Sequence, residues 1–168
     1  MSAASKLSTG YRRIERHDRL IQERWHDTYR STGKLPEPTR CPDCGAEYHE
    51  GRWRWGSTEG PAHEARCPAC HRVRDRYPAG YLFIGGEFAT AHRDEIVNLI
   101  RNVESREKAE HPLARIMAFE DEGKGMLVTT TDAHLARALG DSLSHAYRGE
   151  LEYHYNDGDR LLRVHWSR

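Results

Sequence analysis

Four cysteines are the chain's whole complement of thiols, and they fall as two Cys-Pro-x-Cys pairs, Cys41/Cys44 and Cys67/Cys70, separated by 22 residues. Each such pair lets one tight turn aim two thiolates at the same ion, and two turns complete a tetrahedral sulfur shell. The expected ligand is zinc. A four-thiolate shell leaves no position for water or substrate, so the ion would hold structure and not catalyse. Two other chemistries use cysteine pairs. Disulfides need an oxidising compartment, and the run MSAASKLSTGYRRIERH lacks the apolar core of a secretory signal, so the expectation is a reducing, cytoplasmic setting. A redox Cys-x-x-Cys needs only one pair, set beside a strand-helix-strand unit.

Arginines and aromatic residues crowd the same region. Between Gly51 and Tyr77 stand Arg52, Arg54, Arg66, Arg72, Arg74 and Arg76 against three acids, with Trp53, Trp55 and Tyr77 among them. Guanidinium forks bind phosphate bidentately and aromatic rings stack unpaired bases, a combination that suits RNA. In GRWRWGS the alternation places Arg52 and Arg54 on one side of a strand and Trp53 and Trp55 on the other. The same residues admit a plainer role. A metal-stapled module still needs apolar packing, which the two tryptophans would supply, with the arginines merely solvated.

Other polar candidates carry less. His63 and His71 lie beside Cys67 and Cys70, but four cysteines already fill a structural site, and His49 is at most a donor to a sulfur. Asp132-x-His134 has the outline of an acid-base pair, yet Thr131 and Asp132 at a helix start are capping groups first, and a base also needs an oriented partner and a cleft. Gly123-Lys124-Gly125 lacks the spacing and the Ser/Thr of a phosphate-binding loop and lies between two strands. No metalloprotease, nucleophile-elbow or dinucleotide fingerprint is present, so no enzymatic activity is expected.

The elements that must position these residues can be read from periodicity. Residues 1–39 comprise a small polar start, a helix from Tyr11 to about Tyr29 with Ile14, Ile21, Trp25 and Tyr29 near one face, and an extended linker stiffened by Pro36 and Pro38. Residues 40–79 form the zinc ribbon. Residues 80–168 form an α+β domain in the order strand, helix, hairpin, helix, hairpin. Ile96, Leu99, Ile100 and Val103 make the first amphipathic stripe, and Leu135, Ala138, Leu139, Leu143 and Ala146 the second. The runs ARIMAFE and MLVTTT flank a glycine-rich turn, and LEYHY and RLLRVHW flank Asn156-Asp157-Gly158-Asp159. The two hairpins are expected to join in one four-stranded antiparallel sheet with both helices on one face.

Composition bounds the partners. Of 168 residues, 37% are hydrophobic and 31% charged, and the formal net charge is zero. Residues 1–80 carry 15 Lys and Arg against 11 Asp and Glu, while residues 81–168 carry 11 against 15. Nucleic-acid binding would therefore have to come from a local patch. No run approaches the roughly 18 apolar residues of a membrane span.

The blocks CPDCG and CPACH, followed by GMLVTTTDAHLARALGDSLSHAYRGELEYHY and RLLRVHW, resemble the N-terminal region of the nonsense-mediated-decay-three family, the archaeal and eukaryotic export adaptor of the large ribosomal subunit. Compact bacterial proteins share the pattern, with a LPEPTxCPxCGAxYxxGRWxW block like the one from Leu35 to Trp55. The resemblance covers residues 35–168 loosely, and its specific element is the cysteine quartet. It implies a binding protein associated with the ribosome or RNA, without an enzymatic centre. The adaptors are longer and have more cysteine pairs and further domains. What transfers onto Cys41, Cys44, Cys67 and Cys70 is a zinc module that touches a ribonucleoprotein.

The combined expectation is a zinc-ribbon protein that binds ribosomal or other structured RNA, or a ribosomal protein on it. The alternative is a protein-docking module that uses the ribbon and the first helix, with Trp25 and Tyr29, and touches no nucleic acid. Salt dependence separates the two.

Overall fold

The computed structural model of the chain describes residues 11–13, 29, 33–56, 59–156 and 161–168. Strand β1 spans Tyr11–Arg13. Four short strands follow, β2 (Thr39–Arg40), β3 (Glu47–His49), β4 (Arg52–Arg54) and β5 (His63–Glu64), and form a small sheet in the order β4-β3-β2-β5. The buried carboxylate of Glu47 in its centre is met by the Arg40 guanidinium at 2.7 Å, so the charge is not left unpaired. Helix α1 (Pro68–Asp75) completes this module, with Pro68 in its first turn, where a missing N–H costs nothing.

The remaining elements are β6 (Gly80–Gly85), α2 (Glu87–Ala91), α3 (Arg93–Glu110), β7 (Ile116–Glu122), β8 (Gly125–Thr130), α4 (Ala133–Tyr147), β9 (Glu150–Asn156) and β10 (Leu162–Ser167). With β1 they make a six-stranded sheet in the order β1-β9-β10-β6-β8-β7. Strand β6 lies at its centre, antiparallel to β8 and parallel to β10. Helix α3 thus joins parallel strands β6 and β7 across β8, and α4 joins β8 to β9 across β6 and β10, giving two interlocked split β-α-β units.

Alternation decides which sheet face is covered. Leu82 and Ile84, Met126 and Val128, and Leu162, Val164 and Trp166 are all buried and share one core with Ile96, Ile100 and Val103 of α3 and Leu135, Leu139 and Leu143 of α4. Both helices therefore lie on that face. Helix α4 starts where Asp132 accepts the His134 N–H at 3.0 Å, the capping role its position in the chain suggests. Among the described residues no helix is long and apolar enough to cross a membrane.

The close approach of α4 to the sheet rests on Gly140. A Cβ there would lie 2.6 Å from Val164 Cγ1 and 3.1 Å from Leu151 Cδ1. In a free helix Gly→Ala gains about 1 kcal/mol. Here Val164 is fully buried and stiff at χ1, so overpacking at about 1–3 kcal/mol wins. Gly140→Ala should lower the denaturant midpoint, and an unchanged or raised midpoint would show that the helix shifts outward freely.

Four expectations need correction. The sheet has six strands and is mixed, because the YLFI strand inserts between the two hairpins. A six-residue strand bounded by glycines offers two edges to pair, and a central position satisfies both. Tyr11–Arg13, read as helix, is strand β1 paired antiparallel to β9; it covers a backbone edge that would otherwise stay open. The rest of that helix, residues 14–28 with Trp25, and the turn at residues 157–160 lie outside the described residues. The alternating strand of the ribbon stops at Arg54, before Trp55. Helices α1 and α2 add to the expected order of elements; the first is hidden in the sequence because Cys-Pro-x-Cys reads as a knuckle and not as a helix start.

Candidate metal centre

The first cysteine turn follows β2. The Cys41 N–H donates to the Ala46 carbonyl at 2.8 Å and the Gly45 N–H to the Cys41 carbonyl at 2.9 Å, with Gly45 at φ 78°, a left-handed conformation that suits glycine. The second turn is the start of α1, where Cys67 is the N-cap and its sulfur accepts the Cys70 N–H at 3.4 Å. A further bond ties the turns together, from the Cys67 N–H to Cys41 Sγ at 3.3 Å.

The four sulfurs lie within 4.8 Å of one another, and three of the four residues are buried. Cys44 Sγ and Cys67 Sγ are 3.8 Å apart. That distance is far above the ~2.05 Å of a disulfide. A tetrahedral ion with metal–sulfur bonds of about 2.3 Å requires sulfur–sulfur edges of about 3.8 Å, so the cluster fits a metal ion such as zinc. Bound there, the ion would cross-link two turns that are 22 residues apart. His49, His63 and His71 supply no atom to the set, which among the described residues is made of cysteine alone.

The surroundings sort the thiols. Burial acts to raise Cys41, but the N–H groups of Cys67, Cys44 and Asp43 outweigh it and bring its pKa down to about 7. Burial dominates at Cys67 and Cys70 and pushes both thiols up. The decisive neighbour comes from outside the ribbon. Arg115, just ahead of β7, donates from Nη1 to Cys70 Sγ at 3.2 Å and from Nη2 to Cys44 Sγ at 3.1 Å, with Cys67 Sγ at 3.6 Å. Burial works against the charge on this guanidinium, and the Cys70 and Cys44 sulfurs more than restore it, so it is held protonated beyond the ordinary arginine range. No local pattern marks Arg115 in the sequence. It is one of the 11 basic residues of the acidic half, and only the fold brings it to the sulfurs.

The arginines around the ribbon divide. Arg52, Arg74 and Arg76 are exposed. Arg54 pairs with Glu50 at 2.9 Å, and Arg66 is ion-paired with Asp43. Arg72 departs from the expectation of a phosphate contact: it is buried, donates to the Tyr77 carbonyl at 3.1 Å, and its guanidinium lies 4.6 Å from the Tyr29 ring centre and 5.8 Å from that of Tyr77. It packs one turn of α1 against aromatic rings. Trp53 packs against the cysteine cluster and meets Tyr48 edge-on at 5.7 Å, so it supplies apolar packing to the metal-stapled module. Trp55 is 39% exposed, and its indole N–H donates to the Lys108 carbonyl at 2.6 Å. Gly123 and Lys124 form a two-residue hairpin turn between β7 and β8.

Compared with known proteins, the chain matches no family model, no curated protein and no solved structure.

Proposed function

We propose that this chain is a zinc-ribbon binding protein that associates with structured RNA, ribosomal RNA included, or with a ribonucleoprotein. Zinc is the ion best suited to four thiolates in a closed tetrahedral set, and it would stiffen the ribbon without catalysing. The observation that carries the reading is the exposure of Arg52, Arg74 and Arg76 on the same small module that exposes Trp55 and Tyr77. Phosphate-binding forks beside stackable rings are the chemistry that RNA recognition uses. The resemblance of the knuckles to those of the ribosome export adaptor points the same way.

The test is co-sedimentation of the full chain with ribosomes over a range of salt. The triple change of Arg52, Arg74 and Arg76 to Ala should weaken binding and make the salt slope shallower by about 2 to 3 units, near one per lost phosphate contact. Zinc content and thermal stability should hold, since none of the three is a ligand or a core residue. An unchanged slope and affinity would favour the second reading, a protein-docking module. That reading draws on Val73 and Tyr77 on and just beyond α1, which are 47% and 48% exposed.

A further inference from the structure

Arg115 is anchored at both ends. Its backbone is tied to the residue that follows β8: its N–H donates to Thr131 Oγ1 at 3.0 Å and its carbonyl accepts the Thr131 N–H at 2.9 Å. Its stem is fixed by Nε, which donates to the Pro112 carbonyl at 2.8 Å. Its fork belongs to the ribbon and reaches both knuckles at once, Cys44 in the first and Cys67 and Cys70 in the second. Two other contacts cross the same seam. Trp55 bonds the end of α3 at the Lys108 carbonyl and lies 6.0 Å from the Arg115 guanidinium, and Leu113 packs against the cysteines.

We propose that Arg115 is the positioning residue of the metal centre and the clasp that docks the ribbon on the large sheet. The inference rests on the reading of the four sulfurs as a zinc site. Four thiolates around Zn²⁺ leave a charge of −2 in a mostly buried place, and a guanidinium offsets part of it. Its N–H groups occupy sulfur lone pairs that the metal does not use, so a proton or an electrophile finds less sulfur to attack. The fork geometry matters as much as the charge: a lysine is a single point charge and cannot bridge Cys44 and Cys70 together. Holding the ion and holding the two halves together are then one interaction. A loaded centre would tighten the hold of the ribbon on the rest of the molecule, beyond what the Trp55 and Leu113 contacts supply.

The full chain is compared as native protein, Arg115→Lys and Arg115→Ala, each purified under reducing conditions and assayed for zinc by elemental analysis. Three readouts follow: zinc affinity by competition with a chelator, the sulfur-to-metal charge-transfer band after Co²⁺ substitution, and protease cleavage between α1 and β6. The Ala variant should bind zinc about 10- to 100-fold more weakly, the usual cost of losing a group that orients metal ligands. Its cobalt band should shift and its connection should be cut faster in the loaded state. The Lys variant should resemble Ala more than native, and it decides the matter if the Ala variant does not fold. Native affinity, band position and cleavage in both variants would overturn the clasp and leave the zinc reading intact. Absence of zinc from the native protein would remove the zinc reading itself, and the clasp with it.

Discussion

Cys67→Ser is expected to empty the metal centre and unfold the ribbon from Thr39 to Asp75, while the large sheet and its helices stay folded. Structural zinc binding contributes roughly 10–16 kcal/mol in small peptides near neutral pH. That is as large as the whole stability of an ordinary domain, about 5–15 kcal/mol. The ribbon has little else: its buried cluster is Cys41, Cys67, Ala69 and Cys70, with Cys44, Trp53 and Leu113 against it. Serine keeps the shape of the side chain and removes the soft ligand, so the loss tests the ion and not the packing. The core of the large sheet contains none of these residues, which is why it should survive. Hydrogen exchange read by mass spectrometry checks both halves at once. A protected β2, β3 and α1 in the zinc-free variant would show that the ribbon stands without metal.

Trp166→Ala should cost about 3–5 kcal/mol, the range for truncating a buried aromatic side chain. Trp166 is 1% exposed and sits on β10, between β9 and β6, beneath α4. Its ring lies 6.4 Å from that of Tyr147, and its indole N–H donates to the Arg148 carbonyl at 2.7 Å, just past the end of α4. Two terms are therefore lost, the packing and the donor for an α4-terminal carbonyl. Trp166→Phe separates them: it keeps most of the apolar volume and gives up the hydrogen bond, for about 1–3 kcal/mol if the carbonyl stays dry. Urea unfolding of the two variants measures both terms. A loss under about 1 kcal/mol for the Ala variant would place Trp166 outside the cooperative core.

The parts of this protein that could be read from the chain are those set by short-range geometry. Cys41/Cys44 and Cys67/Cys70 declare themselves because a three-residue step already presents two thiolates to one ion. The stripe of α3 and the Leu135, Leu139 and Leu143 row of α4 follow from a 3.6-residue period, although Ala146 is exposed and Ala136 and Gly140 are buried instead. The β7–β8 hairpin follows from Gly123-Lys124-Gly125. The charge census also held information, since zero net charge confines any phosphate contact to a patch.

Long-range pairing lay beyond that reading. Periodicity marks YLFI as a strand but cannot choose its neighbours, and the parallel pairing of Leu82 with Val164 joins residues 82 positions apart. Tyr11–Arg13 fits a helical stripe locally and becomes a strand only because β9 presents an edge. Arg72 looks like its exposed neighbours until Tyr29, 43 residues earlier, is placed on its guanidinium. Arg115 is the sharpest case, because nothing beside it in the chain is acidic or metal-binding and its partners are Cys44 and Cys70. The amino-acid sequence by itself determined which atoms can hold the ion, because chelation by each pair is local. Only the tertiary structure decided which charge balances them and what the ribbon is fastened to, because a guanidinium's worth depends on the buried partners that folding brings within about 3 Å.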